Sequence, residues 1–214
     1  MKLEKAMIER RSIRGFKDEP VSKALLEDVI ALANRAPSSM NTQPWHLHVL
    51  TGKPLEAVRH GNTERMLAGM TPVREIEDYA AYEGEHRKRQ IKIAVQLFEA
   101  MGIKREDAER RQDWIMRGFR QFDAPVSIVV CFDRSLLENT IAHFDTGAMT
   151  YGLVLAAWSK GLGAVINGQG IMPSPVVREA ANIPEDPVIL TCVSLARHAE
   201  ELVGTYVVSR SRSF

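Results

Sequence analysis

The sequence predicts one domain in which helices and a few buried strands share a core. Three observations carry this expectation. The chain of 214 residues has the length of one domain, enough to bury roughly 70% of its unfolded surface. Residues 45–50, 125–132 and 187–195 are short runs rich in β-branched and aromatic side chains, the composition of strands. Residues 21–34 place Leu25, Leu26, Val29, Ile30 and Ala33 on one stripe, and residues 141–160 read as a long helix closed by Gly161.

Composition sets the wider frame. Hydrophobic residues make up 45% of the chain, and 28 Lys and Arg against 27 Asp and Glu leave a net charge of +1. Overall charge therefore selects no class of partner. Cys131 and Cys192 both lie in apolar, strand-like runs, so a reducing compartment is expected rather than a disulfide framework. The sequence shows neither an apolar signal region nor a run of eighteen apolar residues, which predicts a cytoplasmic protein with no membrane partner.

Taken in order, Leu3, Met7 and Ile8 fall on one side of a short helix that runs into Arg10, Arg11, Ser12, Ile13 and Arg14. Three cations and a hydroxyl within five residues leave two readings open, a solvated charge cluster or a phosphate site gripped by forked guanidinium groups. Ser22 is a good N-cap for the helix over 21–34, with Val21 and Leu26 placed as a hydrophobic staple. Pro37 stops that helix. The stretch Ala36-Pro-Ser-Ser-Met-Asn-Thr-Gln-Pro-Trp-His46 follows, with neutral donors and acceptors at Ser38, Ser39, Asn41 and Gln43 between two prolines. It is either a turn or a binding loop stiffened before its ligand arrives. His46 and His48 then share a strand face, but no third ligand stands nearby and no metal site is expected.

Residues 52–117 are charged and glycine-bearing, and they read as several loosely joined helices inserted over a core. Their basic run His86, Arg87, Lys88, Arg89 is interrupted by Glu83 and Glu85, with Tyr79 and Tyr82 the only nearby aromatics. It reads as a solvated helix face, and no nucleic-acid partner is expected. The run at 125–132 predicts a central strand buried on both faces. Gly147, Ala148, Gly152 and Ala156 lie close to one face of the helix over 141–160, which fits a close-packed interface, within the chain or between subunits. A further strand over 163–168 enters the polar loop Asn167, Gly168, Gln169, Gly170, which lacks the G-x-G-x-x-G of a dinucleotide site. Ser174 and Pro175 begin a helix that ends near Asn182, and the C-terminal tail carries Arg210 and Arg212.

Five of these segments together resemble one known group. Arg-Arg-Ser-Ile-Arg, Ala-Pro-Ser-Ser-Met-Asn-Thr-Gln-Pro-Trp, Asp-Ala-Pro-Val-Ser-Ile-Val-Val, the helix from Asp145 to Lys160 with Gly-Leu-Gly, and Asn-Ile-Pro-Glu-Asp occur in the order of the nitroreductase family of flavin enzymes. The resemblance covers nearly the whole chain. It implies an α+β fold with a mixed central β-sheet flanked by helices, an intertwined homodimer, and one FMN per subunit at the dimer interface. By analogy, Arg10, Arg11, Ser12 and Arg14 hold the phosphate and pyrimidine side. Pro37, Ser38, Ser39 and Asn41 reach the FMN of the other subunit, and Asn167 and Gly168 belong to the loop whose backbone N–H faces the flavin ring. Arg210 or Arg212 completes the phosphate site. A single domain over 1–214 carries a helical lid-like insertion at about 60–120, with Phe119 and Phe122 as stacking groups for substrate.

The expected chemistry follows from that cofactor. A flavin takes hydride from NAD(P)H and passes electrons to a second molecule in the same pocket, so no nucleophile or acid–base pair need be visible in the sequence. The expectation is ping-pong oxidation of NAD(P)H coupled to reduction of a nitroaromatic or quinone-type acceptor. A flavin-binding or flavin-processing relative without reductase activity is the alternative.

Overall fold

The computed structural model describes residues 1–76 and 81–199. Helix α1 (Leu3–Glu9) and helix α2 (Lys23–Ala33) precede strand β1 (Trp45–Leu50). Helices α3 (Gly52–Leu67), α4 (Gly84–Ala100) and α5 (Ala108–Phe119) separate β1 from β2 (Val126–Asp133). Helix α6 (Thr140–Ser159), β3 (Gly163–Ile166), α7 (Ser174–Ala180) and β4 (Pro187–Ala196) complete the described elements.

Local chemistry sets several of these boundaries. The Ser22 side chain accepts a hydrogen bond from Leu25 N at 3.3 Å, satisfying one of the free donors in the first turn of α2. Asn139 does the same for α6, where its Oδ1 accepts from Ile141 N and Ala142 N. At the other end of α6, Gly161 adopts a φ of 78° and Leu162 N donates back to Ala157 O at 2.9 Å. A left-handed glycine just past the last turn is what ends the helix there.

The four strands form one sheet in the order β1-β2-β4-β3. Every strand pair in it is antiparallel, with Trp45 opposite Phe132 and Leu50 opposite Ser127 in the first. Among the described residues, the parallel component of the expected mixed sheet is a single bridge between Ser12 and Ala164, where Ile13 N donates to Ala164 O at 3.1 Å.

Strand β2 is buried on both faces, as its continuous apolar run predicts. Val126, Ile128 and Val130 point into a core shared with α2 and α6, together with Val193 and Leu195 of β4. Val129 and Cys131 point the other way, with Ile189 and Cys192, into a core closed by α3, α5 and α7. The sheet is thus the middle of three layers.

The small-residue face of α6 has a partner within this chain. A Cβ at Gly152 would come within 3.2 Å of Ala33 O, so the absence of a side chain lets α2 lie directly against α6. Elsewhere α6 leaves Ile141, Phe144 and Tyr151 exposed, Phe144 to 73%, and α1 leaves Leu3, Met7 and Ile8 exposed while burying only Ala6. Strand β1 alternates only in part between buried and exposed side chains. Trp45 and Leu47 pack against the α2/α6 core, but Val49 is 40% exposed because β1 lies at the edge of the sheet.

The segment that follows α3 is fastened to the sheet by a carboxylate. Glu75 accepts from Ile189 N at 2.9 Å, from Arg178 Nε at 3.1 Å and from Arg178 Nη2 at 2.6 and 2.7 Å. Arg178 also donates to Pro187 O at 2.8 Å and to Pro184 O. Two residues earlier, Val73 O accepts from Ser174 N at 3.2 Å. By contrast α4 buries none of its residues.

Candidate functional site

These anchors leave a cavity of about 520 Å³ between the segment at 74–76, the loop after β3 and the strand β4. Its wall includes Arg14, Arg74, Phe122, Asn167, Gly168 and Thr191. The volume is that of a small-molecule or cofactor pocket. Two arginines line it, and among the described residues its lining contains no carboxylate, so the described wall favours a ligand carrying negative charge.

The basic cluster behind α1 divides its work. Arg14 reaches the cavity, its Nη1 donating to Ser12 O at 3.2 Å, while its own carbonyl accepts from Arg117 Nη2 at 3.1 Å. Burial lowers the Arg14 pKa from its ordinary value, yet an arginine remains charged. Arg11 turns back to close α1, donating from Nη1 to Ile8 O at 2.7 Å and to Arg10 O at 3.0 Å. Ser12 sits at the bridge to β3. The Nε of Arg10 is buried without a hydrogen-bond partner among the described residues. An uncompensated buried donor calls for an acceptor, and an anionic group would supply one.

The loop at 37–41 lies elsewhere in the chain. Ser39 N donates to Asp145 Oδ2 on α6 at 2.9 Å, and Ser38 Oγ accepts from Gln43 N at 2.9 Å. Met40 and Asn41 take φ values of 50° and 60°, which throws Met40 out to 95% exposure. Pro37, Ser38, Ser39 and Asn41 take no part in lining the cavity of their own chain. Asp145, only 3% exposed, is the residue that fixes this loop.

Asn167 is 3% exposed and points inward. Its backbone N donates to Cys192 O at 2.7 Å, its Nδ2 to Gly118 O at 2.8 Å, and its Oδ1 accepts from Gln169 N and Gly170 N at 3.2 Å each. The Asn167 N–H is therefore committed within the fold. Gly168 is the residue of the pair whose N–H takes no part in the described backbone bonds while its backbone lines the cavity. Phe122 also lines the cavity, against Trp114 at 6.2 Å between ring centroids. Phe119 does not: at 3% exposure it packs in the core closed by α3, α5 and α7, so it presents no face for stacking. Arg210 and Arg212 lie outside the described residues.

Beneath Gly168 lies a polar cluster that sequence reasoning missed. Gln121, fully buried, accepts at Oε1 from Ser127 Oγ at 3.1 Å, Cys192 Sγ at 3.1 Å and Ser194 Oγ at 3.2 Å. Its Nε2 donates to Gly170 O at 2.6 Å, an acceptor it shares with Asn62 Nδ2 at 3.0 Å. Asn62 Nδ2 also donates to Phe119 O at 3.1 Å. A Cβ at Gly170 would fall 2.5 Å from the Gln121 amide and 2.6 Å from that of Asn167, so only glycine fits. Gln121, Phe122 and Asp123 take φ values of 61°, 52° and 57°, a left-handed turn built without glycine and disfavoured by roughly 1–2 kcal/mol per residue. Such strain at a cavity wall is held by the contacts around it.

The described residues hold no cluster of three or more potential metal ligands. No described helix is long and apolar enough to cross a membrane.

The family model described as the nitroreductase family matches residues 7–195. The chain belongs to the nitroreductase family. Among its relatives, the nitrobenzene nitroreductase of Ectopseudomonas oleovorans is 34% identical over 190 residues, covering 87% of this chain and 82% of the relative. The chloronitrobenzene nitroreductase of Comamonas testosteroni is 33% identical over 207 residues, covering 95% and 89%. The crystal structure of the FMN and NADPH-dependent nitroreductase NfnB from sphigopyxis sp. strain HMH superimposes with a TM-score of 0.92 at 26% identity, covering 99% of this chain and 96% of that one. The three-layer arrangement around the antiparallel sheet is thus the nitroreductase fold.

Proposed function

We propose that this member of the nitroreductase family is an FMN-dependent oxidoreductase that uses NAD(P)H to reduce nitroaromatic or quinone-type acceptors by a ping-pong mechanism. The observation that carries this reading is the cavity whose wall includes Arg14, Gly168 and Phe122. Together they offer a fixed cation, an uncommitted N–H and an apolar flat wall, the set that an anionic, flat heterocycle requires. The unpartnered Nε of Arg10 supports the fit, because a phosphate oxygen would pair it.

When bound, FMN accepts a hydride and passes electrons to an acceptor in the same pocket. The protein's part is to bind and orient. Arg10 and Arg14, with Ser12 between them, hold the phosphate and pyrimidine side, and Arg210 or Arg212 completes the phosphate grip. Gly168 presents its N–H to the ring, and Phe122 gives flat donors and acceptors a surface. Pro37, Ser38, Ser39 and Asn41 serve the cofactor of a second subunit. Their distance in function from their own cavity supports this, as does the exposed row Ile141, Phe144 and Tyr151 on the helix that carries their anchor Asp145. An apolar row of that kind is suited to burial in a homodimer. The helices between β1 and β2 form a lid-like insertion on the single domain, and dependence on NAD(P)H suits a cytoplasmic enzyme.

The test is spectroscopic. Purified protein should carry flavin absorption, bleach under argon when NADPH or NADH is added, and recover its colour on addition of nitrobenzene, while gel filtration reports a dimer. Colourless protein that takes up no FMN would refute the reading.

A further inference from the structure

We propose that Gln121 is a positioning residue for the cavity, setting the placement of Gly168 and Phe122 against the ring of a bound cofactor; this rests on the FMN reading above. The argument starts from where Gln121 sits. It occupies the strained turn immediately before Phe122, and its fully buried amide ties that turn to three other parts of the chain. Oε1 gathers Ser127 of β2 and both Cys192 and Ser194 of β4, and Nε2 reaches Gly170 O in the loop after β3.

Gly168 lies between the two anchored ends of that loop. On one side Asn167 is fixed through Gly118 O and Cys192 O. On the other, Gly170 O is held by Gln121 and Asn62. The Gly168 backbone therefore has little freedom of its own, and its orientation toward the cavity is inherited from the amides beneath it. An apolar side chain of similar volume would fill the space but leave Gly170 O held by Asn62 alone and the Ser127 and Ser194 hydroxyls without their shared acceptor. The amide is thus a brace between sheet and cavity wall, and it does not itself touch the ligand space.

Two variants test this in the full chain with FMN. Gln121→Leu should lower kcat by about 10- to 100-fold, the scale of a misplacement of about 1 Å, with KM for NADPH changed far less. The FMN midpoint potential should move by about 30 mV, the two-electron equivalent of a tenfold change in equilibrium. Gln121→Glu separates positioning from simple folding. While protonated, its hydroxyl donates to Gly170 O and its carbonyl accepts from Ser127 and Ser194, reproducing the brace. Once ionised it can only accept, and the bond to Gly170 is lost. The groups placed against it, Ser127, Ser194, the Cys192 thiol and Gly170 O, carry no charge. Gln121→Glu should therefore match the wild type at acidic pH, and its kcat should fall and its midpoint potential depart from the wild-type value as pH rises, an added limb in the comparison of the two. If Gln121→Leu does not fold, that limb decides alone. A flat ratio of Gln121→Glu to wild type across pH, or a flavin-loaded Gln121→Leu within twofold of wild type in kcat and with unmoved potential, overturns the proposal. Wild-type protein that binds no FMN overturns the FMN reading and the proposal with it, an outcome the wild-type control registers before any variant is compared.

Discussion

Removing the carboxylate of Glu75 should destabilise the protein by about 3 kcal/mol, at the low end of the 3–5 kcal/mol seen when one partner of a buried ion pair is deleted. The low end applies because the site is not fully dry: the Glu75 and Arg178 side chains are 13% and 19% exposed. Glu75→Ala removes the acceptor of the Ile189 N–H and of both Arg178 nitrogens that reach it, leaving the guanidinium with only the Pro184 and Pro187 carbonyls. For a chain of this size the loss corresponds to a fall in Tm of about 6–12 °C. Thermal melts followed by circular dichroism would measure it, at fixed protein and FMN concentrations because ligand and partner binding both shift Tm. The companion is Glu75→Leu/Arg178→Met. With both buried charges gone, the one ion that loses a partner is Arg134, whose side chain is 47% exposed and so hydrated, and the double variant should recover a good part of the loss. A fall below about 2 °C for Glu75→Ala, on the same scaling, or a double variant as damaged as the two single changes added together, would refute this account of the anchor.

Two further outcomes follow from the site and its surroundings. Arg10→Ala should weaken FMN binding by roughly a hundredfold or more if two charge-assisted hydrogen bonds of about 1.5–3 kcal/mol each are lost; fluorescence titration of apoprotein measures this, and full occupancy at stoichiometric FMN would contradict the phosphate assignment. Burial pushes the thiols of Cys131 and Cys192 up to about 12 from an ordinary value of 9.0. The unfolded chain therefore releases these protons first, so their contribution is complete below pH 9.0 and declines as pH rises toward about 12. Cys131→Ala/Cys192→Ala should show a shallower fall of Tm with pH across that window, and an unchanged slope would count against the burial argument.

What could be read from the sequence was what is local. The Ser22 cap, the two-sided burial of β2 and the glycine stop of α6 each depend on neighbours a few residues away, so composition and spacing reveal them. The cluster Arg10 to Arg14 and the loop at 37–41 were visible as chemistry, but their placement was not. Only Arg14 of the four cluster residues lines the cavity, and the anchor of the loop is Asp145, more than a hundred positions later. The Gln121 brace was hidden for the same reason, since it joins residues from β2, β4 and a distant loop. Its left-handed turn is also formed by Gln, Phe and Asp, of which only Asp is a residue type enriched at positive φ. Phe119 and Phe122 show the limit from the other direction. Three positions apart, they end on opposite sides of the turn, one in the core and one at the cavity.

The place of α3, α4 and α5 in the topology bears on how such a protein can diversify. They interrupt the chain between β1 and β2, yet those strands pair in register from Trp45 with Phe132 to Leu50 with Ser127. Closing a longer or shorter excursion between the same two ends changes the entropy only logarithmically, by about 0.6 kcal/mol for a doubling in length. Within the excursion, α3 and α5 are built into the core through Leu55, Val58, Met116 and Phe119, whereas α4 buries none of its residues. Insertions, deletions or exchange of α4 would therefore leave the strand register and the core intact. The architecture thus separates an inherited frame from an exchangeable cassette.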